Sequence, residues 1–181
     1  MWKRRPKKIA DEDRVVKDEA KARERTLHRA VRLLAAKPRS VGEMRTRLLE
    51  KAWTNETIVD GVIETLQEYD YLNDRTFAAG LALSKLRQKP QGKRRLRQTL
   101  SQKQLDSETI EMAVASAFEK MPEEELIETA IAKRVRLRGI PETREDKKKF
   151  YEHLLRRGFS FDLIRQKLER IAEFIDPDSA E

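Results

Sequence analysis

The sequence predicts an all-α protein, an elongated array of three tandem three-helix repeats. The composition favours helix, because Ala, Leu, Glu, Lys and Arg are abundant while only six Gly and six Pro occur among 181 residues. Strand-forming residues never alternate in a run, and the chain repeats itself at intervals of about fifty residues. A unit of that size buries little surface alone, so neighbouring repeats are expected to pack together.

The repeat is visible in the apolar positions. A shift of 52 residues (44 to 96) aligns the first repeat with the second, and a shift of 54 (96 to 150) aligns the second with the third. The aligned sets are Met44, Leu96 and Phe150; Leu48, Leu100 and Leu154; Trp53, Leu105 and Phe159; Ile58, Ile110 and Ile164; and Val62, Val114 and Leu168. So many matches in one register indicate a genuine repeat.

A leading helix is expected to open each repeat. In the first repeat it is predicted over residues 26–37 and ends before Pro38, and in the third it is expected at roughly 123–138. Two further helices complete each repeat. Ser40 and Glu43 have the spacing of a capping box at the start of the second helix of the first repeat.

Three-residue turns are predicted between the second and third helices of each repeat. The last residue of each turn is expected to cap the following helix: Thr54, Asp106 and Ser160. Gly158 suits a left-handed helix terminus. Ala52 and Gln104 occupy the matching places, so their turns are expected to be strained or differently shaped.

The predicted organisation is a charged N-terminal tail or helix (1–25), three repeats (26–72, 73–120 and 121–175) and a C-terminal tail (176–181). Mixed charge without apolar periodicity predicts a solvated helix or disorder for the N-terminal tail. No apolar run approaches the roughly 20 residues that span a bilayer, and the N-terminus lacks the apolar region of a secretory signal. Together with the absence of cysteine, this favours a cytoplasmic protein.

The charge balance points to an anionic partner rather than to catalysis. Forty Lys and Arg against 32 Asp and Glu give a formal charge of +8, which favours nucleic acid or an acidic protein. His28 and His153 lie far apart and have no metal ligand at helical spacing. No glycine-rich phosphate loop occurs. We therefore expect no enzyme, no metal and no cofactor.

The segment from Lys85 to Lys103 contains eight basic residues and no acid. With Leu96 and Leu100 facing inward, its helix presents hydrogen-bond donors outward, whereas an ordinary solvated face mixes charges. Helix-dipole complementarity or neighbouring acids explain the later basic groups equally well. The candidate contacts are Lys85, Arg87, Lys89, Lys93, Arg94, Arg95, Arg97, Lys103, Lys133, Arg134, Arg136, Arg138, Lys147, Lys148, Lys149, Arg156 and Arg157.

Several motifs resemble those of the RecX regulatory proteins. Residues 71–78 (YLNDRTFA) resemble the family's G-Y-L-D-D-x-x-F-A signature, and residues 92–100 (GKRRLRQTL) resemble its G-x-x-R-I-x-x-E-L element. Arg39-Ser40 and the RRGF of residues 156–159 are similar to the family's first and last units. The resemblance covers about residues 26–172, although Asp70 and Gln104 stand where the family has glycine.

The resemblance implies a non-enzymatic modulator of the RecA recombinase. Such a protein is expected to bind within the groove of the RecA–DNA filament as a monomer, to hinder filament growth, and to suppress ATPase, strand-exchange and co-protease activities. It also implies binding to single- or double-stranded DNA, with no membrane partner. Two alternatives remain: a helical DNA-binding regulator without recombinase specificity, and a helical adaptor for an acidic protein.

Replacing Lys93, Arg94, Arg95 and Arg97 together by Glu is expected to weaken filament binding sharply, because the basic helix would then repel phosphate or an acidic surface. Filament binding and circular dichroism would be measured on the same preparation. A folded variant that inhibits as well as the wild type would exclude this helix from the mechanism.

Overall fold

The structure, a computed structural model, describes residues 9–175, with side chains described as far as Glu169. In this part of the chain it contains nine α-helices, one short 3-10 helix (Asp11–Asp13) and no strand, which confirms the predicted all-α class. The predicted C-terminal tail (176–181) and residues 1–8 of the predicted N-terminal tail lie outside the described residues.

Three helices form each repeat, as predicted. They are α1 (Glu19–Ala36), α2 (Val41–Leu48) and α3 (Glu56–Glu68); α4 (Asp74–Gln88), α5 (Lys93–Ser101) and α6 (Ser107–Lys120); and α7 (Glu123–Arg138), α8 (Arg144–Arg156) and α9 (Phe161–Ile175). The leading helix α7 has the predicted bounds. Helix α1 begins at Glu19 instead of residue 26, because Asp18 caps it by accepting a hydrogen bond from Lys21 N at 3.1 Å.

The chain divides into two compact units. Unit 1 comprises Met1–Ala78 and Gln102–Asp106, and unit 2 comprises Ala79–Ser101 and Ser107–Glu181. In unit 1, α1, α2 and α3 pack against one another. In unit 2, α5 packs on α6, and α7, α8 and α9 pack together.

The apolar register of the repeat corresponds to the buried positions. Side chains at the first two aligned sets are all buried: Met44, Leu96, Phe150, Leu48, Leu100 and Leu154. The isoleucines at the start of α3, α6 and α9 are buried as well. Trp53 departs from this pattern, since it is only half-buried where Leu105 and Phe159 are buried.

One predicted helix cap is wrong. Asn55, not Thr54, caps α3, because Asn55 Oδ1 accepts a hydrogen bond from Ile58 N at 2.9 Å. The Thr54 side chain turns inward instead, is fully buried, and shares a 3.0 Å hydrogen bond with the hydroxyl of Thr26. Ser160 does cap α9, accepting from Leu163 N at 3.3 Å.

The first turn, residues 49–55 between α2 and α3, is held by Arg14. The Arg14 guanidinium donates to the carbonyl oxygens of Lys51 (2.9 Å), Leu49 (2.9 Å) and Thr54 (3.2 Å), and also to that of Ile9 (3.0 Å). Its side chain is 4% exposed. These contacts satisfy carbonyls at a helix end that would otherwise lack donors. This part of the predicted tail is therefore packed rather than solvated.

The second turn (102–106) and the third turn (157–160) each accept a hydrogen bond at a backbone carbonyl. The two carbonyls belong to residues that align under the 54-residue shift. The carbonyl oxygen of Lys103 accepts a hydrogen bond from Ser40 Oγ within unit 1. In unit 2 the carbonyl oxygen of Arg157 accepts from Gly92 N at 3.0 Å. Ser40 and Gly92 are themselves equivalent under the 52-residue shift (40 to 92). Each turn thus docks against the start of the second helix of the preceding repeat.

Replacing Arg14 by Met is expected to lower the free energy of unfolding by about 3 kcal/mol, because several buried carbonyls lose a charged donor. Chemical and thermal unfolding would be compared with those of Lys17→Met, which removes an exposed cation from the same segment. Equal stability of the two variants would refute the role assigned to Arg14.

Candidate anion-binding surface

The structure assigns the candidate cations to different environments. All except Lys103 belong to unit 2. Lys103 lies in the second turn, where its Nζ is 2.9 Å from Glu43 Oε1 and both side chains are mostly covered. This ion pair holds the second turn against α2, so the charge of Lys103 is neutralised within the protein.

Helix α5 presents the predicted outer face. Leu96 and Leu100 are buried, whereas Arg94, Arg95 and Gln98 are exposed. Arg94 makes no hydrogen bond or ion pair within the described residues, and Arg95 Nη1 donates to Gln98 Oε1 at 2.7 Å. That acceptor is uncharged, so both guanidinium charges remain available to an anion.

Two other α5 cations are neutralised by acids from neighbouring helices. Arg97 donates to both carboxylate oxygens of Glu111 in α6, at 2.7 and 2.8 Å. This bidentate pair raises the pKa of Arg97 and lowers the pKa of Glu111. Lys93 Nζ lies 3.6 Å from Glu123 Oε2 at the start of α7. The prediction that this face lacks carboxylates is therefore wrong around Lys93 and Arg97.

His153 in α8 belongs to a second cationic group: four cations act on its imidazole, and Arg157 N donates a hydrogen bond to its carbonyl oxygen at 3.1 Å. Burial is the main cause that lowers its pKa, and the charges of Arg157, Arg134, Arg156 and Lys89 lower it further. We call these four cations and the imidazole the His153 cluster. Three segments of unit 2 supply it, namely the residues just after α4, helix α7, and helix α8 with the turn that follows.

Contacts at the third turn place parts of the two cationic groups side by side. Arg157 Nη1 donates to the carbonyl oxygen of Pro90 at 2.9 Å. A Cβ atom added to Gly158 would lie 2.4 Å from Arg95 N, so the backbones of this turn and of α5 are in close contact. The structure thereby brings the start of α5 against a turn more than sixty residues away in sequence (95 to 158).

The remaining candidate cations differ in their neighbours. Lys149 pairs with Glu145 at 2.7 Å and Arg156 with Glu152 at 3.6 Å, both along α8. Several others make no ion pair within the part of the chain that is described: Lys85, Arg87, Lys133, Arg136, Arg138, Lys147 and Lys148. Lys85 is partly covered and the other six are exposed, so they add positive potential to unit 2.

A pocket in unit 1 has a different character. It encloses about 520 Å³ and is lined by Val15, Lys17, Asp18, Ala22 and Trp53, among others. The guanidinium of Arg25 lies 4.6 Å from the centroid of the Trp53 ring. The lining carries both signs of charge, because the carboxylate of Asp18 accompanies its cations.

Searches for a metal site and for a membrane span give no candidate among the described residues. No cluster of three or more His, Asp or Glu in residues 9–175 could hold a metal ion. In the same range, no helix is long and apolar enough to cross a bilayer.

The repeat contains only part of a signal for the Arg97 ion pair, because its arginines align but its acids do not: the 52-residue shift places Met112, not Glu111, at the position of Asp60. Arg45 occupies the equivalent position in the first repeat (45 to 97), and its Nε lies 2.8 Å from Asp60 Oδ1 in α3. Both arginines thus bind an acid on the third helix of their own repeat. The His153 cluster had no such signal, because its members come from distant segments.

The two positions that replace family glycines keep a glycine-like backbone. Asp70 has φ 58° and Gln104 has φ 56°, in the left-handed region that disfavours side chains. Gln104 Oε1 accepts a hydrogen bond from Thr46 Oγ1 at 3.0 Å, and Asp70 Oδ1 accepts one from Asn73 Nδ2 at 2.9 Å. The positive φ of Gln104 confirms the predicted strain at the second turn.

Family models match nearly all of the three repeats. The RecX first, second and third three-helix domains match residues 27–66, 73–114 and 122–168. The regulatory protein RecX of Prosthecochloris aestuarii is 33% identical over 147 residues, which covers 81% of this chain and 93% of that protein. RecX of Chlorobium phaeobacteroides is 34% identical over 142 residues, covering 78% and 90%.

A solved structure shares the fold. The crystal structure of RecX from Lactobacillus salivarius aligns with a TM-score of 0.74 at 22% identity, and the alignment covers 84% of this chain and 98% of that one. At this identity the likeness supports the fold alone.

Replacing Gly158 by Ala is expected to lower the melting temperature strongly, because the new Cβ would collide with Arg95 N at 2.4 Å. Gly139→Ala is the control, since Gly139 also has a positive φ (76°) but no atom within 4 Å of the added Cβ. A larger loss for Gly158→Ala is expected, because only that variant adds a collision with the backbone of α5. Equal melting temperatures would contradict the close packing of the third turn on α5.

Proposed function

The chain belongs to the RecX family of regulatory proteins, and we propose that it is a negative regulator of the RecA recombinase. In this proposal it binds the groove of the RecA–DNA filament and inhibits filament growth. Suppression of ATPase, strand-exchange and co-protease activities follows, because each activity depends on an extended filament. The protein acts without catalysis or a cofactor, as a monomer in the cytoplasm.

One observation carries this proposal beyond family membership. Helix α5 exposes Arg94 and Arg95 with no carboxylate partner within the described residues, although acids neutralise Lys93 and Arg97 on the same helix. Unpaired exposed charges repel one another, and contact with phosphate or acidic side chains relieves that repulsion. The contact surface on α5 is therefore centred on Arg94 and Arg95.

Filament regulation and simple DNA binding use the same cations but differ in stoichiometry. A regulator that limits filament growth acts at far less than one molecule per recombinase subunit. A DNA-binding protein without recombinase specificity acts only when it covers the DNA. An adaptor for an acidic protein would bind its bare protein partner equally well after nuclease treatment.

The double substitution Arg94→Glu with Arg95→Glu is expected to weaken inhibition of RecA ATP hydrolysis on single-stranded DNA by at least tenfold. It leaves the ion pairs of Lys93 and Arg97 in place, so the fold should persist. The inhibitory concentration would be measured beside naked-DNA binding at the same salt concentration.

The matched control is Arg32→Glu with Lys37→Glu, an equal charge change at exposed residues of unit 1. If both double variants lose inhibition equally, net charge rather than the α5 surface is responsible. If wild-type protein inhibits only after saturating the DNA, it is a competitor for DNA and the recombinase proposal fails.

A further inference from the structure

The His153 cluster combines burial with uncompensated positive charge. His153 is partly buried, and the four neighbouring charges that act on it are all cationic. Glu152 is the adjacent carboxylate on α8, and it lies 3.6 Å from Arg156 Nη1 in an exposed pair. Lys89, Arg134 and Arg157 form no ion pair within the described residues. Like charges held this close together cost free energy until a counter-charge arrives.

Two arginines of the cluster are held in place by the fold. Arg157 is anchored through Nη1 to the carbonyl oxygen of Pro90, and burial lowers its pKa. Arg134 Nε is buried and has no hydrogen-bond partner among the described residues. A buried donor without an acceptor is costly, so its retention suggests that an external acceptor serves it.

We propose that Lys89, Arg134, Arg156 and Arg157 form a phosphate-binding site beside His153. Guanidinium groups offer paired donors to phosphate oxygens, and the imidazole adds one more donor when it is protonated. The site uses none of the exposed arginines of α5, although the third turn that carries Arg157 packs against the start of that helix. It deepens the proposed function, because the phosphate would be one of the DNA backbone.

His153 reports directly on occupancy of the site. A phosphate among these cations stabilises the imidazolium, so binding raises the pKa of His153 from its lowered value. By linkage, the ligand binds more tightly as the pH falls through that pKa. His28 is the one other histidine of the chain, and it is exposed on α1 in unit 1. It serves as an internal control in the same molecule.

The test is an NMR titration of the two histidine ring signals in the full chain. Spectra would be recorded from pH 5 to 8.5 in chloride, with pyrophosphate, and with a short oligothymidine, all at equal ionic strength. We expect both phosphate ligands to raise the pKa of His153 and to leave His28 unchanged. A shift with pyrophosphate but not with the oligonucleotide would retain the site and overturn its assignment to DNA.

Single substitutions distinguish loss of phosphate binding from loss of the folded structure. Arg134→Gln is expected to weaken oligonucleotide binding at the site about tenfold and to reduce the His153 shift at a fixed ligand concentration. Arg144→Gln is the control, since it removes an exposed cation of α8 that is not among the candidate contacts. If Arg134→Gln fails to fold, Lys89→Gln provides the same test from an exposed position.

The proposal is overturned if neither ligand moves the His153 signal, or if Arg134→Gln and Arg144→Gln behave alike. These readouts need no recombinase. Failure of the phosphate site would therefore leave the proposed regulation of RecA untouched, and failure of the ATPase test would leave the phosphate site standing.

Discussion

The structure depends on one recurring constraint: the carbonyl oxygen at the start of each inter-helix turn needs a donor from outside the turn. A helix end leaves its last carbonyls without partners, and burial makes such groups costly. In the second and third turns the donor comes from the start of the second helix of the preceding repeat, Ser40 or Gly92. In the first turn the Arg14 side chain performs the same task from the N-terminal segment. The contact that holds each turn is therefore made to a backbone carbonyl oxygen, so the turn position tolerates either Lys or Arg.

This constraint explains why basic residues alone do not define the functional surface. Lys103 and Arg157 lie at equivalent turn positions, and both contribute a backbone carbonyl to this contact. Their side chains then diverge, since Lys103 pairs with Glu43 while Arg157 reaches the carbonyl of Pro90 without meeting a carboxylate. A cation whose charge is matched within the fold gains little from an external anion. A cation held in place but unmatched gains more, which is why the candidate interfaces lie on α5 and around His153.

Sequence reasoning predicted the parts of the fold that depend on local pattern. The apolar register, which recurs at shifts of 52 and 54 residues, predicted both the buried faces and the three repeats, because helical periodicity is set by residues close in sequence. It missed Asn55 as the cap of α3, since Thr54 and Asn55 are both capping residues, and the aligned turns favoured Thr54 although Asn is the stronger cap and Thr54 is buried beside Thr26. The ion pair of Arg97 was only partly accessible, because Arg45 is its equivalent but the acids that bind the two arginines do not align in sequence. The His153 cluster was not, because nothing local joins residues 89, 134 and 153.

In the third repeat, the position equivalent to Ser40 and Gly92 has a different role. Within the described residues, no inter-helix turn packs against it. Asp146 is the equivalent of Gly92 under the 54-residue shift (92 to 146). Its backbone N donates to Thr143 Oγ1 at 3.1 Å, and its carboxylate accepts from the same hydroxyl at 2.7 Å. Helix α8 thus begins three residues earlier than the shifted start of α5 (144 against 147), and this position serves its own helix start. A residue that joins two repeats elsewhere here completes a helix cap, which frees the flanking lysines of α8 from any joining role.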